Sequence, residues 1–268
     1  MIATLHIQTA VRENVTYLKN SFFSTPFKVA NITEDKKAKT LHLMLMSSSP
    51  GILDRDQYQL KIELEEDSSL QLHTQSYQRL FNMKQGASQF LEVHLSSNAS
   101  FCFLPHPSVP HAQSVFRAVN KIYLSENCSL VFGEILTCGR KLNGEAFMFS
   151  KYHNTTEIFL DNKLIVKENL LIEPATINLN ALGQLEGFTH QASLIYLHAS
   201  VEIKPLIDFL TEYLTDQAGI IFGITASSAN GLIVRILGNK AEQLHSCLKT
   251  IATLLPQKIK RKSVADAV

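Results

Sequence analysis

Apolar residues recur at every second position through much of this chain. Leu41, Leu43 and Leu45 alternate with His42, Met44 and Met46, and the run stops at Ser47-Ser48-Ser49-Pro50-Gly51, a cluster of turn residues. Similar runs occupy 70–74, 90–95, 100–104, 115–124, 130–137, 146–149 and 157–172, the last broken by Asp161-Asn162-Lys163, which suits a hairpin turn. Strand signals thus run from about residue 39 to residue 200, with turn signals roughly every ten residues. That spacing predicts an antiparallel, all-β architecture instead of alternating βαβ units. No sequence repeat accompanies it.

After residue 200 the period changes. Ile203, Leu206, Ile207, Leu210, Tyr213 and Leu214 fall at helical spacing, as do Leu244, Cys247, Leu248, Ile251, Leu254 and Leu255. Between these two amphipathic helices, 219–226 and 232–237 read as strands joined through Asn230-Gly231, two residues that tolerate positive φ. A helix, hairpin, helix unit of this kind can cover a face or edge of the larger sheet. With no Gly-, Ser- or Pro-rich linker to set it off, the expected organisation is one domain over 1–268. It comprises a β body at about 1–200, the helix-hairpin-helix region at about 201–256 and a basic tail at 257–268.

Three carboxylates share parity with the apolar side of a predicted strand. Asp56 is in step with Tyr58, Leu60, Ile62 and Leu64, Glu134 with Leu130, Phe132 and Leu136, and Glu168 with Leu164, Val166 and Leu170. A buried carboxylate needs a partner, a cation or water. Each acid either escapes to solvent at a strand end or belongs to a wet, acidic interior through which a cation could pass.

Composition narrows the function. With 25 basic and 24 acidic residues in 268, the chain carries no strong field for nucleic acid or an anionic membrane. The basic run in the tail reads as a solvated terminus, or as a docking element. No stretch approaches the ~18 apolar residues of a membrane span, and a secretory signal is lacking, so a cytoplasmic protein is expected. Cys102, Cys128, Cys138 and Cys247 have neither C-x-x-C nor zinc-finger spacing, and buried reduced thiols are expected. The chain has no G-x-S-x-G, phosphate-binding loop, H-E-x-x-H or Rossmann glycine pattern, which weighs against an enzyme. His106 and His111, in a proline-stiffened loop, are candidates for a shared metal, with exposed loop histidines as the plain alternative.

The blocks 49–56, 73–76 and 134–147 together resemble the urease accessory protein UreD family, called UreH in some bacteria. The first are 49–56, with Gly51, and His73-Thr74-Gln75-Ser76. The next is 134–147, which holds Gly139, Arg140, Gly144 and Glu145 in the pattern G-R-x-x-x-G-E-x-F. Downstream, Asp161-Asn162, Glu168, 186–190, 223–226 and 231–237 follow in the family's order. One departure is Asp54-Arg55, where many members carry a glycine pair; Asp56 then stands as the matching acid.

The resemblance implies a non-enzymatic scaffold of mainly β fold. A large antiparallel, β-rich body, two-layered and β-helix-like, would carry the C-terminal helix-hairpin-helix unit. The family binds UreF, which recruits the GTPase UreG, and this hetero-oligomer docks on apo-urease to deliver nickel. Nickel would be in transit, and GTP would sit on UreG, so this chain needs no stably bound cofactor. On this view Asp56, Glu134 and Glu168 line a water-filled nickel path. Gly139 and Gly144 would shape a turn held by an Arg140–Glu145 pair, and the C-terminal helices are expected to dock UreF. The alternatives are a nickel carrier that holds the ion tightly, or a metal-dependent enzyme using His106 and His111.

Overall fold

The computed structural model describes the backbone of residues 1–265 and the side chains of residues 1–255. The basic run expected in the tail therefore lies outside the described side chains. Strands come first: β1 (Ile2–Arg12), β2 (Val15–Phe23), β3 (Phe27–Asn31), β4 (Leu41–Ser47), β5 (Gln57–Leu64), β6 (Ser69–Thr74), β7 (Gln78–Leu80), β8 (Ala87–Leu95) and β9 (Ser100–Phe103). They continue with β10 (Ser108–Pro110), β11 (Val115–Leu124), β12 (Ser129–Thr137), β13 (Lys151–Leu160), β14 (Lys163–Ile172) and β15 (His190–His198). Helix α1 (Ile203–Thr215), β16 (Ile220–Ser227), β17 (Gly231–Gly238) and α2 (Ala241–Ala265) complete the described chain. None of its helices is long and apolar enough to cross a membrane.

Two mixed sheets form the body. One runs β14-β13-β11-β8-β5-β1-β2, and the other runs β16-β17-β15-β12-β9-β6-β4-β3, with the short β7 and β10 beside it. From β4 to β13 the long strands fall alternately in the second and first sheets, so neighbours within a sheet come from successive coils and lie parallel. Leu41 stands opposite Leu70, Ser69 opposite Ser100 and Gln57 opposite Ser88, which sets a coil of about 30 residues.

The mainly β, two-layer, β-helix-like expectation matches this architecture. The antiparallel part of it needs correction. Antiparallel pairing is confined to β1–β2, β3–β4, β13–β14 and the β12–β15–β17–β16 end of the second sheet. The reason is physical: each coil strand turns one face to the core and one to water, as in β5, so a parallel coil shows the alternation usual for antiparallel sheets. Turn clusters mark corners between sheets as readily as hairpins.

Two apolar clusters result. One fills the space between the sheets, with Leu5, Ile7, Leu43, Ile62, Leu72, Phe101 and Ile122 fully or almost fully buried. The other lies under the helices, where Leu206, Leu210 and Leu214 of α1 and Leu244, Cys247, Leu248 and Ile251 of α2 meet Val131, Ile135, Leu194 and Val234. Strand β12 belongs to both: Leu130, Phe132 and Leu136 point between the sheets, and Val131 and Ile135 point to the helices. A Cβ on Gly133 would meet Leu104 Cδ2 at 2.5 Å and Leu248 Cδ1 at 3.2 Å, so glycine lets α2 approach the strand.

The expected hairpins are present. Asp161 and Asn162 both take positive φ, 48° and 63°, between β13 and β14. In the C-terminal hairpin only Asn230 does, at 54°. Gly231 is required for another reason, because a side chain there would strike the Tyr196 carbonyl oxygen of β15. All four cysteines are free; three are buried and Cys102 is half-buried.

Candidate functional site: a half-buried carboxylate between two cavities

Glu134 sits in the inward phase of β12, beside Phe132 and Leu136, so the strand period aims its carboxylate between the sheets. Across the gap, β11 and β13 present Asn120, Asn154 and Thr156 in their own inward phases, all three buried. Asn120 Nδ2 donates to Glu134 Oε1 at 3.0 Å, and Asn154 Nδ2 donates to the same oxygen. Asn120 Nδ2 also lies 3.0 Å from Asn154 Oδ1 and 2.9 Å from Thr156 Oγ1. These amides compensate part of the cost of a carboxylate in an apolar body. Burial still outweighs them and raises the Glu134 pKa to about 7, with the charge of Glu168 adding to the rise.

Glu134, Tyr152 and Asn154 line two cavities at once. The larger, about 150 Å3, has Asn120 and Glu134 at its inner end, and its lining includes the exposed residues Ser47, Pro50, Gln75 and Ser76 at the other. The smaller, about 30 Å3, continues past Glu134 to Glu168, Gln191 and Ser193. A water needs roughly 10–15 Å3 of such space, so both can be wet. Glu168, 22% exposed, receives Arg235 Nη2 on both carboxylate oxygens at 2.6 and 2.8 Å, which ties β14 of one sheet to β17 of the other.

Asp56 does not join them. It is buried at the head of β5, outside the lining of both cavities, where it accepts from the Met1 amino group at 3.1 Å and from the Leu53 N–H at 2.9 Å. In the neighbouring turn Asp54 Oδ1 accepts three backbone N–H groups, from Lys84, Gln85 and Gly86, which hold its pKa below the usual range. Arg55 takes φ 66°, the conformation a glycine adopts freely.

Of the motif residues Gly51, Gly139, Arg140, Gly144 and Glu145 only Gly51 lines a cavity, and the others shape a turn away from both linings. Gly51 lines the larger cavity and packs directly on Arg79 of β7, where a side chain would collide with that residue's carbonyl oxygen. Gly139 has φ 108°, and a Cβ there would lie 2.6 Å from both the Glu145 and the Pro110 carbonyl oxygens. Gly144, φ 79°, closes the short 3-10 turn Lys141–Asn143. Arg140 pairs with Glu145 through both Nε, at 2.8 Å, and Nη2, and Glu145 also accepts from the Ala112 N–H at 3.2 Å.

His106 and His111 have separate surroundings. His106 Nδ1 meets Thr74 Oγ1 at 2.9 Å and its ring faces His245 of α2, whereas His111 is buried with its ring 4.7 Å from that of Phe81. Among the described residues no three His, Cys, Asp or Glu side chains converge as metal ligands. His106 and His111 thus belong to no three-ligand set among the described residues. Sequence reading also passed over Asn120, Asn154, Arg235 and His245. The same parity test would have found the two asparagines, since Asn120 is in step with Ala118 and Ile122, and Asn154 with Tyr152 and Ile158.

A family model described as UreD urease accessory protein matches residues 1–267. The chain belongs to the UreD family. It is 49% identical over 252 residues to the urease accessory protein UreD of Flavobacterium johnsoniae, covering 94% of this chain and 91% of that one. The UreD proteins of Acetivibrio thermocellus and Haemophilus influenzae are 35% and 36% identical, with 94% and 90% of this chain covered and 96% and 93% of theirs. As a UreD-family member the chain is an accessory protein in urease maturation and not an enzyme.

Proposed function

We propose that this chain is a scaffold through which nickel passes on its way to apo-urease, with Glu134 and Glu168 lining the route. It works in a hetero-oligomer with a UreF partner that recruits the GTPase UreG, and the nucleotide stays on UreG. The observation that carries this reading is the position of Glu134, a single carboxylate lining two adjoining cavities. Carboxylate, amide and water are weaker ligands for nickel than imidazole or thiolate, so a path built from them attracts the ion without trapping it. Lack of a convergent three-ligand set among the described residues favours a conduit over a tight carrier.

The test is urease activation in cells that co-express the accessory proteins with Glu134→Leu or Glu168→Leu. Activation is expected to fall at least tenfold while the variant still co-purifies with its partners. Full activation by a Glu134→Leu complex that assembles normally would remove Glu134 from the route.

A further inference from the structure

We propose that His106 and His245 form a two-imidazole site for a divalent transition-metal ion beside the larger cavity, with His106 in its lining and His245 behind it. His106, on the β9–β10 connection, lines that cavity. His245, on the first turns of α2, is 3% exposed, and its Nε2 is fully buried with no hydrogen-bond partner. An orphaned buried polar atom costs about 1–3 kcal/mol, so something else in the fold or its ligand must justify it.

His106 Nδ1 is committed to Thr74 Oγ1 at 2.9 Å, and the Leu104 backbone acts on the His245 ring. This is the arrangement that orients metal-binding imidazoles, one nitrogen fixed by a neighbour and the other presented to the ion. The ring centroids are 4.5 Å apart. Two imidazoles bound at right angles to one ion through ~2.1 Å bonds have centroids about 4.5 Å apart, so the spacing suits a shared ion.

Electrostatics set the strength. Burial keeps both rings neutral, the ligand form, with His245 lowered to about 4 and His106 below its usual value. The Lys249 ammonium opposes a cation here, and Glu242, bonded to Tyr77 Oη, favours one. With two imidazoles and water as ligands, the site holds nickel, zinc or cobalt exchangeably and ignores magnesium. It deepens the conduit reading, on which its purpose rests, by giving the route a capture point beside its larger cavity.

Nickel titration of the full chain, read by equilibrium dialysis and nickel-edge X-ray absorption, tests it. Wild type is expected to show imidazole ligation that magnesium does not displace. His245→Gln and His106→Gln, each checked for a wild-type melting curve, should weaken binding ~10-fold and reduce the imidazole signal, and His111→Gln should change neither. Wild-type nickel without imidazole ligation, or a folded His106→Gln that binds as wild type does, overturns the site. Glu134→Gln should keep the imidazole signature, so a failed conduit and a failed capture site give different results.

Discussion

Glu134 has an acidity that can be read in stability. Its folded pKa, about 7, lies above the ordinary 4.5, so between these values the native state holds a proton that the unfolded chain has released. Stability from this group is fully present below about pH 4.5 and is lost as pH rises through 7, by ~3 kcal/mol in total. Burial of His190 and His245, each lowered to about 4, acts in the opposite sense. Denaturant melts of wild type and Glu134→Gln at pH 5 and pH 8 isolate the term: the variant should gain relative to wild type at pH 8. Gly139→Ala should cost ~1–3 kcal/mol in the same assay, because φ 108° and two carbonyl oxygens at 2.6 Å leave no room for a methyl group. The inward aim of Glu134 was legible from strand parity. The fate of Asp56 was not, since parity gives direction and says nothing of an amino group 55 positions away that neutralises it.

Among the elements, the helices and hairpins followed from local pattern, since 3.6-residue spacing and turn residues act within a few positions. The first three strands lie before residue 39, where the reading began, although Ala3, Leu5 and Ile7 alternate with Thr4, His6 and Gln8 in β1. Strand direction was hidden for a different reason. Pairing partners are about 30 residues apart, and alternation looks the same in either direction. The packing of α2 on β12 makes a separate expectation. Leu248 is 1% exposed and seated over Gly133, so Leu248→Ala should cost ~2–4 kcal/mol by chemical denaturation.

At the scale of the whole molecule, one sheet is capped by helices and the other faces outward, and the two are tied at one side by Glu168 and Arg235. Arg235 is 53% exposed and gives a single nitrogen to both carboxylate oxygens, not a two-nitrogen fork. Arg235→Ala should therefore lower stability by less than ~1 kcal/mol, checked by thermal melting, and a large change in urease activation by this variant would belong to the route instead of the fold. No reading of local sequence could have found the pair, since its partners are 67 residues apart on different sheets.

Strand β12 gives the molecule a party wall. Its residue 133 bears the weight of Leu248 on one side, and the very next side chain fronts the crevice on the other. Only one backbone thickness separates the helix from the cavities beside Glu134, so a shift of the outer layer against β12 would bear directly on that carboxylate.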